Sequence, residues 1–347
     1  MKPKNNRAIV AVVSSDCFHQ AVVLWRSIKR FEGKSDFIIF VIGYDKNDPD
    51  YQNAGFTVVD ATVLNPKEWH QFIFQYNAQQ AACALKPLAI LKALKSYEKV
   101  IYLDTDIKLF GPLKTAWEAL ESADLSLTPH YYQPIPYDSC AEDFRLLVRL
   151  SGIFNAGYVG ATQAGGDFLK WLWEQTKHNC IESIWHGLFL DQRWLDSAVA
   201  LVRRLHVVQD RTYNVAYWNL HERELHKEMG RYFVNEELLT FFHFAGLTKE
   251  SDFSPQKEEP PFYELFRDHQ KELACAKKKL LVKEYPFRHF KDGEVIDESW
   301  KEWMRRGVPE LENIQNPFLL KRSEREQIEA AMVKRPLHFR PKLEREI

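Results

Sequence analysis

The sequence has little that would staple, anchor or strongly charge a fold. Its five cysteines (Cys17, Cys83, Cys140, Cys180, Cys275) are scattered, odd in number and form no Cys-x-x-Cys pair. That excludes a disulfide framework and a cysteine zinc site, and reduced thiols in a cytoplasmic protein are expected. No run approaches the ~20 apolar residues of a membrane span, so no transmembrane segment is expected. Lys+Arg total 47 against Asp+Glu 48, a net charge of -1, which removes the global electrostatic grip that nucleic acid requires. Met1 to Arg7 is basic and Ala8 to Val13 apolar, but that run is short and polar Ser14-Ser15-Asp16 follows at once. It reads as a first strand rather than a signal peptide. No internal repeat or low-complexity tract interrupts the chain.

What is present is a large apolar complement, 45% of 347 residues. This is ample for a core and suits two domains, or one large domain with an appendage. Ala8 to Val13 and Phe37 to Ile42 are continuous runs of the kind buried on both faces of a sheet, Phe56 to Val59 is a third strand, and Lys99 to Leu103 a fourth. Between them, 18–31 carries Val22, Val23, Trp25, Ile28 and Phe31 at helical spacing, and helical pattern fills roughly 66–97. Strand and helix in alternation predict a mostly parallel α/β sheet, whose ligands gather at the carboxyl ends of the strands. Further on, helices are expected near 113–122, 166–180 and 191–202, with strands near 124–128 and 238–244. The polar stretch Lys249 to Pro261, with three prolines, marks the best boundary. It divides a domain at 1–250 from a charged, helix-prone segment at 251–347, with helices expected over 262–281, 298–306 and 322–333. That segment is assigned to the acceptor side, to oligomerisation or to stabilisation.

The chemistry centres on Tyr102-Leu103-Asp104-Thr105-Asp106. Residues i and i+2 of an extended segment point to one side, so both carboxylates converge just past a strand end. Hard oxygen ligands of this kind suit Mg²⁺ or Mn²⁺. A bare Asp-x-Asp is common and is usually a solvated loop; here a buried strand precedes it and Ile107 follows.

Val100-Ile101-Tyr102-Leu103-Asp104-Thr105-Asp106-Ile107 resembles the metal-binding strand of glycosyltransferase family 8, the GT-A type group that contains glycogenin and bacterial lipopolysaccharide galactosyltransferases. The resemblance runs in order along roughly 8–250, and the wider pattern, with its C-terminal extension, resembles bacterial polysaccharide-associated relatives. It implies a three-layer, Rossmann-like GT-A fold and transfer of a hexose, with retention, from a nucleoside diphosphate sugar, UDP by preference, to an acceptor hydroxyl. The acceptor would be a glycan, a lipid-linked glycan or a protein. By the same resemblance, Ser14 and Asp16 hold the nucleoside, with Asp16 on uracil, and His19 takes the place of the base-stacking aromatic. Leu85-Lys86 resembles the helix that reaches the donor, so Lys86 is a donor residue beside Leu103 and Asp104. Asn155 and Gly157 belong to an Asn-Ala-Gly turn that meets the donor sugar. Asp191-Gln192 faces the anomeric carbon and is the catalytic pair. His243 to Lys249 matches His-x-x-Gly-x-x-Lys, which makes His243 the third metal ligand after Asp104 and Asp106. Gly246 then lets the chain approach the phosphates and Lys249 binds the diphosphate. Departures exist at Phe18, Ala84 and Glu250-Ser251.

Plainer readings stand beside these. His243 in an aromatic strand can be a core histidine, Asp191 a helix cap, Lys86 a surface lysine, His130 a loop residue or an acceptor contact, and Trp218 core packing or a sugar platform. An inverting transferase, a nucleotidyltransferase and a non-catalytic binding module are the rival classes; Ser14 to His19 lacks the Gly-rich basic loop a nucleotidyltransferase carries. A homo-oligomer is left open. Lys277-Lys278-Lys279 and the basic tail near Lys334 to Lys342 are read mainly as solvated, with peripheral contact at an inner membrane as the alternative.

Overall fold

A computed structural model describes residues 6–65, 67–136, 148–246 and 260–333. Arg7–Ser14 (β1), Asp36–Ile42 (β2), Thr57–Asp60 (β3), Lys99–Leu103 (β4), Leu125–Pro129, Phe154–Thr162 and Leu205–Val207 build one seven-stranded sheet. Ile107–Leu109 (β5) leaves that sheet directly after β4. With β6, β7 and β8 for the last three main strands, the order is β8-β6-β7-β4-β1-β2-β3. Only β7 runs antiparallel to its neighbours β4 and β6; the other pairings are parallel.

The alternation of side chains along β1 explains the layers. Val10 and Val12 face one core with Val100, Tyr102, Leu125 and Leu127. Ile9, Ala11 and Val13 face the other with Ile101 and Leu103. Phe18–Phe31 (α1) covers the second face, and Ala78–Leu94 (α2) and Gly166–Asn179 (α3) cover the first. The three-layer, mostly parallel α/β architecture expected from the sequence is therefore present.

The chain beyond residue 260 is helical, with Pro260–Lys278 (α4), Glu298–Arg306 (α5) and Arg322–Val333 (α6). Phe262, Leu265 and Phe266 of α4 pack against a small antiparallel sheet of Leu225–Glu228, Arg231–Val234 and Glu237–Leu238. Tyr285, Phe290, Trp300, Met304 and Ile328 join the core that includes Val10 and Tyr102. Gln71 Nε2 donates to the carbonyls of Glu312 and Ile314 at 3.1 and 3.0 Å, and Arg305 Nη1 to that of Gln75 at 2.6 Å. These residues thus share the core of the sheet. None of the described helices is long and apolar enough to cross a membrane. Cys17, Cys83, Cys180 and Cys275 are free thiols.

Three local expectations change. The helical pattern over 66–97 breaks at residues 75–77, because Asn77 and Gln80 form a reciprocal capping box that starts α2 anew. The helix expected over 191–202 reduces to a 3-10 turn, Arg193–Ser197, and the single turn Ala198–Leu201. Finally, Phe154–Thr162 is a full strand, where the sequence showed only an Asn-Ala-Gly turn: Gly157 and Gly160 mask its strand character.

Candidate metal centre

β4 ends at Leu103, whose side chain is core, and Asp104 follows at the carboxyl edge of the sheet. The Asp104 N–H donates to the Gly157 carbonyl at 2.9 Å, tying the turn to β7. The chain then reverses into β5, which pairs antiparallel with Phe241–His243 (β9) and sets Ile107 opposite His243. The Phe244 N–H donates to the Asp106 carbonyl at 2.9 Å. These pairings bring ligand atoms of Asp104, Asp106 and His243 within 4.8 Å of one another.

The hydrogen bonds behind this cluster fix the histidine tautomer. Gln192 Nε2 donates to the Ser151 carbonyl at 3.1 Å, so its Oε1 faces the other way and accepts from the Ala156 N–H and Asn155 Nδ2 at 3.1 and 2.9 Å. Asn155 is thereby oriented: its Oδ1 accepts from the Gly157 N–H at 3.0 Å and faces His243 Nδ1 at 3.0 Å. Asn214 Oδ1 faces the same Nδ1 at 3.1 Å. Two amide oxygens require a hydrogen on Nδ1, and Nε2 faces Asp106 Oδ1 at 3.1 Å. Between a ring nitrogen and a carboxylate at this distance positive charge is needed, from a second ring proton or from a bound cation. The residues therefore fit a divalent cation with oxygen and imidazole ligands, held by outer hydrogen bonds of the kind that orient ligating histidines.

Gly157 is part of this construction. A Cβ at 157 would fall 2.7 Å from His243 Nδ1, closer still to its Cε1, and 2.9 Å from Asn155 Oδ1. The Asn-Ala-Gly sequence thus admits the imidazole as well as turning the chain. His130 is buried behind it: its Nδ1 donates to the Gly152 carbonyl at 2.8 Å and its Nε2 faces Asn155 Nδ2 at 3.4 Å. Burial lowers its pKa to about 4, so the ring is neutral, as this pattern requires. His130 thus lies in the bend after β6, as expected, but is buried as an internal support. Trp218 is buried with its ring edge-on to both His130 and His243, which favours packing over a sugar platform.

Lys86 lies beside the cluster. It is 1% exposed rather than a surface lysine. Its Nζ donates to the Ala156 carbonyl at 2.6 Å and pairs with Asp191 at 2.8 Å and Asp104 at 3.5 Å. Burial pushes the ammonium pKa down, but Asp104 and Asp191 outweigh it and the net shift is upward. Burial raises the Asp191 carboxyl against the pull of Lys86. Asp191 is 1% exposed and caps no helix. Leu190 before it sits at φ +50, a left-handed conformation that costs of order 1 kcal/mol or more and aims the carboxylate inward at Lys86.

The β1 end forms the other part of the edge. Ser14 is buried, Asp16 lies in a 3-10 turn with Oδ1 buried and without a hydrogen-bond partner among the described residues, and His19 is half-buried in the first turn of α1. Burial, then Lys277, lowers the pKa of His19. The next residue, Gln20, accepts from Thr105 Oγ1 at 2.9 Å, which joins this turn to the Asp104–Asp106 segment. Gly246 has φ +69, which favours glycine, and a Cβ there would meet nothing nearer than Tyr217 Oη at 3.8 Å. Lys249 lies outside the described residues. The structure therefore gathers Asp104, Asp106, His243, Asn155, Gly157, Gln192, Lys86 and Asp191 in one connected group, with Asp16 and His19 adjoining it. Sequence reasoning missed Asn214, whose φ of +52 and place beside β9 are set by strand contacts far along the chain. An Asn between Tyr213 and Val215, in an otherwise apolar stretch, was the available signal.

The fold and site define a three-layer α/β protein with a hydrogen-bonded Asp-Asp-His cluster whose atoms are close enough to share one cation. No protein-family model matches the chain. It is similar to the uncharacterized protein YfnD of Bacillus subtilis (strain 168), 27% identical over 174 residues. That match covers 47% of this chain and spans about half, 52%, of the relative. Among solved structures it is similar to the galactosyltransferase LgtC in complex with donor and acceptor sugar analogs, at TM-score 0.45 and 12% identity over 81% of this chain and 99% of that one. It is also similar to the glycosyltransferase GlyE of Streptococcus pneumoniae TIGR4, at TM-score 0.44 and 15% identity over 83% and 67%. Mouse xyloside xylosyltransferase 1 compares at TM-score 0.41 and 13% identity over 70% and 99%.

Proposed function

We propose that this protein is a metal-dependent glycosyltransferase that moves a hexose from a nucleoside diphosphate sugar, UDP by preference, to an acceptor hydroxyl, with retention, in bacterial glycan or polysaccharide synthesis. The observation that carries the reading is the Asp104–Asp106–His243 cluster, whose histidine is oriented through Nδ1 so that Nε2 faces a carboxylate. Asp104, Asp106 and His243 hold Mn²⁺ or Mg²⁺, the imidazole shifting preference toward Mn²⁺. When bound, the ion neutralises charge that gathers on the departing diphosphate.

Asn155 and Gly157 form the floor on which the donor sugar rests, Gly246 and Lys249 approach the phosphates, and Asp16 and His19 take the base. Gln192 acts on the floor by holding Asn155 and Ala156. Asp191 is buried against Lys86, which disfavours it as a nucleophile and supports a front-face route. In that route the bond from the anomeric carbon to the phosphate oxygen breaks, the bond to the acceptor oxygen forms on the same face, and the acceptor proton passes to the departing phosphate oxygen. The acceptor is a glycan, lipid-linked glycan or protein, and the enzyme works in the cytoplasm, at most peripherally on the inner membrane.

A thermal-shift screen of nucleotide-sugars with and without Mn²⁺ tests this. A donor at a hundredfold excess over Kd adds about 2.7 kcal/mol of stability and stands out. Asp106→Ala is expected to abolish the metal-dependent shift and to lower donor turnover on the order of 10³-fold, the worth of several kcal/mol in the transition state. A metal-dependent donor shift that survives in Asp106→Ala refutes the site. Failure of every nucleotide-sugar to release its nucleoside diphosphate with Mn²⁺ refutes the activity.

A further inference from the structure

A cavity of about 440 Å³, within the range of small-molecule sites, lies between the turn Ser15 to His19 and the segment Leu280 to His289. That segment follows α4, yet it is fixed to the ends of β1 and β2. Ser15 Oγ donates to the Glu284 carbonyl at 3.2 Å. Gly43, at φ +80, leaves room for Pro286, whose Cγ would lie 2.7 Å from a Cβ there. Lys283 pairs with Asp48 at 3.1 Å and with Asp50. Two oxygens of the lining, Asp16 Oδ1 and Tyr285 Oη, are buried and have no hydrogen-bond partner among the described residues, and Tyr285 is 7% exposed. Buried polar groups of this kind are normally paired, so each calls for a partner.

We propose that the segment Leu280 to His289 is the second wall of a nucleobase pocket and that Tyr285 is a binding residue, its hydroxyl meeting the base edge opposite Asp16. This rests on the donor reading above. A carboxylate such as Asp16 offers acceptor oxygens. Burial and the nearby Asp16 hold the Tyr285 phenol well above its ordinary pKa, so it stays protonated and donates. A ligand edge that sets an N–H beside a carbonyl or ring nitrogen satisfies both oxygens, and the N3–H and O4 of uracil form such an edge. A sugar phosphate or pyrophosphate has no N–H for Asp16, so the cavity selects the nucleoside portion. Gln20, bonded to Thr105, is one residue from His19 in the cavity wall, which connects the base pocket to the cation site.

Calorimetric titration of the full chain with Mn²⁺ and UDP, GDP, ADP, CDP or pyrophosphate tests the proposal. The best nucleoside diphosphate is expected to bind at least tenfold more tightly than pyrophosphate. Tyr285→Phe, which keeps the ring and its packing, is expected to weaken that nucleotide about 5–10-fold, the worth of one buried hydrogen bond, and to leave pyrophosphate unchanged. Unchanged nucleotide affinity in Tyr285→Phe overturns the second wall while the donor reading stands. Pyrophosphate binding without any nucleotide preference overturns the pocket and spares the cation site. Binding of neither ligand with Mn²⁺ overturns both readings.

Discussion

The two halves of the carboxyl edge are built differently. Around His243 the side-chain amides are committed to one another and to backbone groups: Gln192 to Ser151, Ala156 and Asn155, and Asn155 to Gly157 and His243. Around Asp16 the wall is held by backbone and ion-pair contacts from a distant part of the chain, and Asp16 Oδ1 and Tyr285 Oη stay unpaired. A site for a small cation depends on ligand directions, which a rigid hydrogen-bonded shell supplies. A site for a flat organic group depends on space and a few aimed polar atoms. The contrast teaches that preorganisation here is concentrated in the Asp-Asp-His half.

The largest expected effect attacks that commitment at its charged centre. Lys86→Met leaves Asp191 buried without its partner and is expected to destabilise the fold by about 3–5 kcal/mol in urea denaturation. Adding Asp191→Asn should recover most of the loss. A loss below about 1 kcal/mol, on the scale of a surface pair, breaks the comparison.

Acid probes the same half. His130 has its folded pKa lowered to about 4 by burial, against an ordinary 6.5. The unfolded chain then binds a proton that the folded chain refuses, so this contribution is intact above pH 6.5 and is lost as pH falls toward 4. At about 1.4 kcal/mol per unit this amounts to roughly 3 kcal/mol. Stability measured from pH 7 to 4 should show it, and His130→Asn should flatten that part of the curve.

The smallest effect separates orientation from ligation. Asn214→Ala removes one of the two oxygens that hold the His243 hydrogen on Nδ1. A loss of about tenfold in Mn²⁺ affinity is expected, beside a stability cost of about 1 kcal/mol without metal, because alanine is strained at φ +52. Undiminished affinity would show that Asn155 alone suffices.

Much of the sheet was legible in advance. The runs at 8–13, 37–42 and 99–103 are dense in β-branched residues, and those strands formed at nearly those bounds, as did α1 and the three late helices. β7 was hidden because glycine, present for close approach to His243, weakens the strand signal it sits in. Lys86 was marked as a donor residue by resemblance with a surface lysine left open, because a lysine before Pro87 says nothing of the two carboxylates that converge on it from β4 and from the turn after Leu190.

By itself the sequence determined the layered α/β sheet and the placement of Asp104 and Asp106 past a strand end, since both follow from side-chain alternation over a few neighbouring residues. Only the tertiary structure decided that Nδ1 of His243 faces two amide oxygens and Nε2 faces Asp106, that Asp191 turns inward to Lys86, and that Tyr285 stands with Asp16 in one cavity wall. Each of these depends on partners far apart in the chain, which come together only when strand pairing and core packing set the distances.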